Sequence, residues 1–367
     1  MLTRRQFGHA AGAMAAATVF MPAVVRAAPV KMRVGLASGV SDAQVAFQSI
    51  GMHPRLKWYQ QEDVELDIIN TGSTSQPIQL LSTGQVEFAT IAPGTLIPPF
   101  ADNPNLNVVC AYTWMPRIHN GVVVKPDSPI QSLAELKGKT IGIRNTGDSG
   151  YFFLQAAFKE LNIDPQKDVE WIAVGAGGPA GQALYRDAVQ AIAIWDVEFV
   201  RIEIAGFKLR HLPNLPSANE LFGNSYAVNK EAFAKNKEAF AKTFRAIAKG
   251  QIFNALNPEA AVLLHWDLYP ETKPKGKTHE EALGEMLKIL STRKDKWFPH
   301  PSSPDQRMGS STRSQWEASV RFIGRLNPRI QEKITDVSKL YTTEILDEVN
   351  RFERKAFEEE AKKFKHS

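Results

Sequence analysis

The chain has 367 residues, of which 43% are hydrophobic and 23% are charged, and its formal net charge is +5. This length allows two hydrophobic cores, and the basic residues are mixed with acidic ones along the chain, unlike the basic runs or faces of nucleic-acid binders. Cys110 is the only cysteine, which excludes an intrachain disulfide and any zinc or iron–sulfur site built from several cysteines.

The first 27 residues have the three parts of an export signal. Arg4 and Arg5 stand before an apolar, small-residue stretch at 10–25, and Val25-Arg26-Ala27 is typical of a cleavage site. The arginine pair favours the twin-arginine route, although the general secretory route stays open. A membrane anchor is the other interpretation, but the stretch is shorter than the roughly 20 residues that a bilayer span requires. We therefore predict a twin-arginine signal peptide at 1–27 and a soluble mature protein in the periplasm.

The chain after residue 27 alternates strands and helices. Alternating apolar residues predict strands at 31–37, 64–69 and 85–91, each followed by a turn rich in Gly, Ser, Thr or Pro and then by a helical stretch. This order is typical of a parallel sheet that is covered by helices on both faces. Two further strands, at 107–114 and 121–125, lead out of this unit.

A second unit of the same architecture follows. It contains predicted strands at 139–144, 169–174 and 191–195 and a helix at 149–161. A strand at 225–229, which follows a proline-interrupted segment, is predicted to return to the first unit. The chain would therefore cross twice between the two units.

Two crossings define a two-lobed α/β protein, in which each lobe is a doubly wound sheet. We predict that residues 28–117 and 222–367 form lobe 1 and that residues 118–221 form lobe 2. The C-terminal part is predicted to be a helical extension. In it, the offset of seven residues between Phe233 and Phe240 places both rings on one helix face, and a charged helix is expected at 343–364.

A doubly wound sheet binds its ligand beyond the carboxyl ends of the strands, where helix N-termini point outward. The residues at these positions are mostly small, hydroxylated or aromatic. In lobe 1 they are Ser38, Gly39, Ser73, Thr74, Pro93, Gly94, Thr95 and Trp114, with Tyr226 on the returning strand; in lobe 2 they are Thr146, Gly147, Asp148, Ser149, Gly177, Trp195 and Asp196. We predict that they face one shared cleft. For each loop residue, ordinary loop or N-cap chemistry is the alternative.

Two acidic and two aromatic residues bear on the chemistry of the ligand. Asp148 is either the cap of a helix or a contact for an amine or N–H group, and Asp196 poses the same question. Trp195 is either a stacking platform or a buried core residue. No cluster of arginines in the sequence marks an inorganic oxyanion site. Together with Trp114, these residues favour an aromatic or nitrogen-bearing organic solute.

Two motifs resemble catalytic or cofactor sites by spacing alone. Gly147-Asp148-Ser149-Gly150 matches the nucleophile loop of trypsin-like proteases, but it opens a helix in an α/β unit instead of lying in a β-barrel. The segment 175–180, followed by Asp196, partly satisfies the dinucleotide fingerprint, but Pro179 stands in its turn. The eight histidines lack metal-ligand spacing. We therefore predict no catalytic residue, no cofactor and no metal.

Several segments together resemble one family. They are Lys31-Met-Arg-Val-Gly-Leu36, Leu81-Ser-Thr-Gly-Gln-Val-Glu-Phe-Ala89, 122–130, 132–143, Asp168-Val-Glu170 and Trp195-Asp196. In order and spacing, over about residues 30–230, the chain resembles the nitrate/sulfonate/taurine/pyrimidine-precursor branch of ABC transporter substrate-binding proteins. It departs at 186–191, where the family usually reads Gly-Gln-Val-Asp-Ala, and the part beyond about residue 254 matches nothing in that family.

The resemblance implies a type II periplasmic binding fold and a function in transport. Such a protein would bind a small organic molecule of the sulfonate, aromatic or nitrogen-heterocycle class by hinge closure and break no bond. It would act as a monomer and dock on an ABC permease in the inner membrane. A receptor that presents its ligand to a signalling partner is one alternative, and an exported oxidoreductase with a bound cofactor is another. A fungal relative of this fold makes a thiamine precursor through a cysteine-rich motif, which a chain with one cysteine lacks.

Overall fold

A computed structural model of the protein describes residues 28–37, 39–40, 43–72 and 75–366. The predicted export signal at 1–27 and the predicted site residues Ser38, Ser73 and Thr74 lie outside the described residues. The strands are β1 (Val30–Leu36), β2 (Val64–Asn70), β3 (Phe88–Ile91), β4 (Val108–Tyr112), β5 (Asn120–Val124), β6 (Thr140–Ile143), β7 (Glu170–Ala173), β8 (Ala191–Trp195), β9 (Arg210–Leu212) and β10 (Ser225–Asn229).

Helices cover the strands and form most of the C-terminal third. They are α1 (Ala46–Ser49), α2 (Trp58–Gln61), α3 (Pro77–Ser82), α4 (Pro93–Asp102), α5 (Ser149–Glu160), α6 (Gly178–Tyr185), α7 (Asp196–Ile204), α8 (Lys230–Lys235), α9 (Lys237–Leu256), α10 (Pro258–Leu268), α11 (His279–Ser291), α12 (Arg313–Gly324), α13 (Arg329–Lys333), α14 (Leu346–Val349) and α15 (Arg354–Lys363). Short 3-10 turns lie at 43–45, 50–52, 133–136, 216–220, 270–272 and 337–339. No helix among the described residues combines the length and the hydropathy that a membrane span requires.

The strands form two five-stranded sheets of matching design. The first has the order β2-β1-β3-β10-β4 and the second the order β7-β6-β8-β5-β9. In each sheet four strands run in the same direction, and the strand that returns from the other half of the molecule, β10 or β5, runs antiparallel between two of them. The α/β fold with two sheets is therefore confirmed, but each sheet is mixed where the strand-helix rhythm predicts a parallel one.

Burial follows the position of a strand in its sheet. Every residue of β8, an unbroken apolar run with strands on both sides, is buried, as expected for a central strand covered on both faces. The edge strand β7 has three exposed residues among its four. The sequence Ala-Ile-Ala-Ile-Trp is continuously apolar because both of its faces are covered.

The chain crosses twice between the sheets, at 113–119 and at 213–224. The two crossing segments are hydrogen-bonded to each other: the Met115 N–H donates to the Asn224 carbonyl (3.0 Å), and the Gly223 N–H donates to the Met115 carbonyl (2.8 Å). Gly223 is required here, because a Cβ at this position would lie 2.3 Å from Nδ1 of His119. Paired segments of this kind let two bodies bend together about one axis.

The C-terminal region joins the two halves on both sides of the crossings. α11 packs against α7, which flanks the second sheet, and also against α10, which packs on α1 and α9 of the first half. α12 packs against α4 of the first half and α5 of the second, where the rings of Phe153 and Phe322 are stacked with centroids 5.6 Å apart. The helical extension therefore packs against helices of both predicted lobes.

Two sequence predictions about helices are corrected by the structure. The helix expected at 343–364 is two helices, α14 and α15, because Asn350 leaves the helix and its side-chain amide donates to the carbonyls of Met308 and Leu346. The Phe233 and Phe240 rings do meet, 5.4 Å apart, but Asn236 separates their segments into α8 and α9.

Candidate functional site

A small, partly open cavity of about 50 Å³ lies between the two sheets. Its wall comes from both of them and from the C-terminal region: the residues are Leu36, Ala37, Gln44, Val45, Gln48, Thr90, Trp114, His119, Ser149, Trp195, Asn224 and Arg293. Leu36 and Trp195 are the last residues of parallel strands in the two sheets, and Ser149 begins helix α5. A second pocket of about 30 Å³, which shares Ser149, continues toward α12.

Several polar atoms of the cavity-lining residues are buried without a hydrogen-bond partner among the described residues. They are Oε1 of Gln48, Nε1 of Trp114, Nδ1 of His119 and Oδ1 of Asn224. A buried polar group without a partner costs roughly 1–3 kcal/mol, so native structures pair such groups with protein, water or a ligand. Four of them on the wall of one cavity therefore indicate a polar occupant.

The imidazole of His119 is neutral in this environment. Burial lowers the pKa of His119 to about 3, and the nearby Asp196 only partly opposes that effect. Its Nε2 lies 3.5 Å from Nδ2 of Asn224. His119 can therefore offer either a donor or an acceptor to an occupant, depending on its tautomer, but not a positive charge.

Beside the cavity, Asp196 connects the second sheet to the C-terminal region. Its Oδ1 accepts from Nε of Arg293 at 3.1 Å and lies 3.1 Å from Nη2 of the same guanidinium, while its Oδ2 accepts from Nζ of Lys296 at 2.6 Å. The side chains of Asp196 and Arg293 are only 8% and 5% exposed. Burial alone would raise the pKa of Asp196, but Arg293 and Lys296 together hold it below its usual value. We call these three residues the Asp196 clasp.

A second cluster of charges lies behind Trp195. The Arg144 guanidinium stands over the Trp195 ring, 5.2 Å from its centroid, and its Nη1 lies 3.6 Å from Oδ2 of Asp148. Glu198 pairs with Arg201 in the same region. Burial raises the pKa of Asp148 to about 6 and that of Glu198 to about 7, in both cases against the opposing charge of Arg144.

The structure brings only part of the predicted site to the cavity. Trp114, Ser149 and Trp195 line it, and Pro93 and Gly94 line the adjoining pocket. Gly94 packs closely against Phe152 of α5, since a Cβ there would lie 3.0 Å from Cβ of Phe152.

Other predicted residues have roles within the protein. The Thr95 hydroxyl donates to the Ala92 carbonyl and accepts from the Ala92 N–H. This side chain therefore caps the N-terminus of α4, in line with the alternative of ordinary capping chemistry. Tyr226 is buried among aromatic rings of the first sheet, although its hydroxyl lacks a partner among the described residues. Asp196 is held by its two cations.

The remaining predicted residues lie outside the wall of the cavity. Gly39 lies beside Asn70 and has a positive φ of 55°, and Gly177 precedes α6 with a φ of 58°. Thr146 is exposed, and the Gly147 N–H donates to Oδ1 of Asn145. Asp148 stands at the N-cap position of α5, but its carboxylate makes no capping hydrogen bond.

Sequence reasoning missed six polar wall residues: Gln44, Gln48, Thr90, His119, Asn224 and Arg293. Thr90 lies within a strand and Gln48 within a helix, so neither stands at the loop positions from which the prediction was built. Arg293 is separated from Asp196 by about a hundred residues, and no local pattern links the two. A sequence signal existed only for Asn224, which directly precedes the returning strand β10.

Among the wall residues that the structure describes, none is arranged for nucleophilic catalysis. The Ser149 hydroxyl donates to Oδ1 of Asn120 at 3.0 Å, and a side-chain amide is not a general base. Within the described residues, no group of three His, Cys, Asp or Glu side chains is placed to hold a metal ion. The site can bind a solute by polar contacts and by aromatic faces.

The sequence of residues 52–261 matches the family model described as NMT1/THI5 like. Curated proteins include no match to the sequence. Among solved structures, a protein from Bordetella bronchiseptica RB50 is similar with TM-score 0.66 and 16% identity, over 88% of this chain and 97% of that one. The periplasmic aliphatic sulphonate binding protein SsuA from Escherichia coli is similar with TM-score 0.61 and 15% identity, over 85% of this chain and 92% of its own.

A third similar structure contains a bound organic molecule. The alkanesulfonate-binding protein SsuA from Xanthomonas axonopodis pv. citri, bound to MOPS, has TM-score 0.58 and 13% identity, over 88% of this chain and 99% of its own. At these identities the likeness establishes the fold. It agrees with the two sheets and the double crossing described above.

Proposed function

The chain belongs to the NMT1/THI5-like family, and from this membership and the site we propose that it is a solute-binding protein of an ABC importer. It binds a small organic molecule between its two sheets and presents it to a permease. The observation that carries the proposal is the cavity between the sheets, whose wall is built from both and retains unpaired polar atoms. Binding proteins for sulfonates share the fold, which supports the same role here.

Binding requires the two halves to move apart and close again. An organic ligand of ordinary size needs a pocket of roughly 300 Å³ or more, whereas the closed cavity has about 50 Å³. A larger solute therefore enters only when the sheets separate, and it selects a closed state that fits it because it contacts both halves only there. Bending is expected at the paired crossing segments, so we place the hinge near residues 117/118 and 221/222.

The proposed role involves no chemical step. Ser149 is paired with an amide instead of a base, and buried His119 is held neutral and is not bonded to Ser149. Both observations favour a binding site over a catalytic one. We further propose that the export signal at 1–27 directs the protein to the periplasm, where it acts as a monomer.

A ligand screen with a closure readout tests the function. The purified protein is screened by thermal shift against sulfonates, aromatic acids, pyrimidines and amines, and every hit is measured by titration calorimetry and small-angle scattering. A true ligand should raise the melting temperature and bind with about micromolar affinity, which corresponds to about −8 kcal/mol. It should also change the radius of gyration, because it stabilises one lobe arrangement.

Matched tryptophan variants place the ligand in the cavity. Trp195→Ala removes an aromatic wall and should weaken binding of any hit by roughly 10- to 100-fold. Trp171→Ala is the control, since Trp171 lies on β7 of the same sheet, outside the cavity wall, and its Nε1 donates to the Pro165 carbonyl. Equal effects of the two substitutions, or hits that leave the scattering curve unchanged, would contradict the proposal.

A further inference from the structure

We propose that Arg293 and Trp114 determine the specificity of the cavity, and that its ligand carries a single negatively charged oxygen group which accepts from both of them. The inference rests on the proposed function and names the chemical class of the solute. The sequence favours an aromatic or nitrogen-bearing organic solute, and the inference departs from the nitrogen-bearing part of that preference. The reason is that neither aspartate on which that preference depends is available in the cavity.

Arg293 provides the charge of the cavity wall. It is the one formally charged residue among the wall residues that the structure describes, and no acidic residue lines the described part of the wall. Its Nε and Nη2 contact Asp196, whereas Nη1 has no hydrogen-bond partner in the described part of the chain. A guanidinium with free N–H groups at the edge of a cavity binds oxyanions in a planar, two-pronged geometry.

The Asp196 clasp contains an excess of positive charge. One carboxylate is shared by two cations, Arg293 and Lys296, so the three groups together carry a formal charge of about +1. Glu198, the next acidic group along the chain, is paired with Arg201 and also interacts electrostatically with Arg293, but burial raises its pKa to about 7, so it offsets only part of this excess. In a poorly solvated site an uncompensated charge is costly, so one anionic group in the cavity would stabilise the closed state.

Trp114 provides a fixed donor. Its ring is 4% exposed and packs between Phe47 (centroids 5.4 Å apart) and Tyr226 (6.1 Å apart), so the direction of its N–H is set by packing. Nε1 has no partner among the described residues, and an indole N–H can only donate. The occupant must therefore supply an acceptor, and an anionic oxygen is the acceptor that forms the stronger hydrogen bonds.

The experiment compares isosteric molecules that differ in charge. Carboxylates, the corresponding primary carboxamides and the corresponding amines are titrated into the wild-type protein, on aliphatic bodies of two to six carbons and on a benzene ring. Methanesulfonate and benzenesulfonate are titrated in a separate arm, which distinguishes a sulfonate from a carboxylate as the singly charged oxygen group. We expect the acids of at least one arm to bind 10-fold or more tightly than their amides, and the amines to bind least.

Trp114→Phe tests the donor without altering the clasp. It keeps an aromatic ring, removes the N–H, and should reduce the affinity for the anion by roughly 10- to 100-fold while leaving that for the amide within about threefold. Trp266→Phe is the matched control, because Trp266 is also buried with an unpartnered Nε1 but lies on α10, outside the cavity wall.

The possible failures separate this inference from the proposed function. If amides or amines bind more tightly than the acids and bind in the cavity, as Trp195→Ala would show, the solute-binding role stands and the anion inference is wrong. If the acids bind but Trp114→Phe and Trp266→Phe have equal effects, the assignment of Trp114 is wrong. If no member of any class binds, both proposals are contradicted.

Discussion

Replacing Asp196 by Asn is the sharpest perturbation of the structure, because it removes one charge from the clasp and little volume. The variant leaves Arg293 buried beside the cavity without its counterion, and it weakens the contact that ties the second sheet to the segment after α11. We expect the protein to become less stable and its two halves to open more often.

The magnitude follows from burial. Breaking a buried ion pair by removing one partner costs about 3–5 kcal/mol, because the remaining charge is left uncompensated. Arg293 is 5% exposed and bears the full penalty, whereas Lys296 is 29% exposed and can turn to water. We therefore expect about 3 kcal/mol, the lower end of the range.

The assay is urea unfolding at pH 7, combined with small-angle scattering to follow opening. Asp102→Asn is the control, since Asp102 pairs with Lys333 at 3.7 Å on the surface and its side chain is 79% exposed. An exposed pair of this kind contributes about 0–1 kcal/mol. If Asp196→Asn stays within about 0.5 kcal/mol of wild type and the scattering curve is unchanged, the clasp does not hold the halves together.

Further predictions concern four buried groups that titrate in opposite directions. Burial lowers the pKa of His119 to about 3 and that of His265 to about 4. Each neutral imidazole therefore contributes stability that is present above about pH 6.5 and lost as the pH falls. When urea unfolding is measured from pH 7 to pH 4, His265→Gln should lose less stability than the wild type, by about 3 kcal/mol. Burial raises the pKa of Asp148 to about 6, so its penalty appears as the pH rises through the window from about 4 to 6. Asp148→Asn should therefore be more stable than wild type by about 1–3 kcal/mol at pH 8 and equally stable at pH 4, and a variant that is destabilised at both values would contradict this account. Burial also raises the pKa of Glu198 to about 7, but Glu198→Gln breaks the ion pair with Arg201, so this variant should gain less stability than Asp148→Asn at pH 8.

Much of the fold could be predicted because its pattern is local. Period-two apolar runs predict strands within a few residues of their observed bounds, and the run at 191–195 matches β8 at both ends. The antiparallel direction of β5 and β10 was harder to predict, since strand direction depends on where the chain crosses and not on the residues of the strand. The break at Asn350 was missed for a similar reason, because the side chain that causes it bonds to Met308, far away in the sequence.

The candidate site could be predicted only where it follows from sheet topology. The rule that ligands bind at strand ends points to Trp195 and Ser149, and both line the cavity. The rule also selects Asp196 and predicts its position. It does not predict the partners of Asp196, because Arg293 and Lys296 come from a segment that the rule does not cover. An acid that the sequence offers as a possible contact for a ligand is instead bonded to two cations of the protein.

The C-terminal region changes how closure should be understood. Were it a passive cover on the first sheet, the halves would be joined by the crossing segments alone and a ligand would have to supply the whole closing free energy. Instead α11 and α12 each contact both halves, and the clasp adds a buried ionic contact on one side of the cavity. Such contacts lower the free energy of the closed state before any ligand arrives, so the ligand needs to supply only the remaining difference. In the proposed role, we expect the same contacts to break when a large solute enters. We also expect the affinity for that solute to depend partly on how readily Arg293 and Lys296 exchange Asp196 for water.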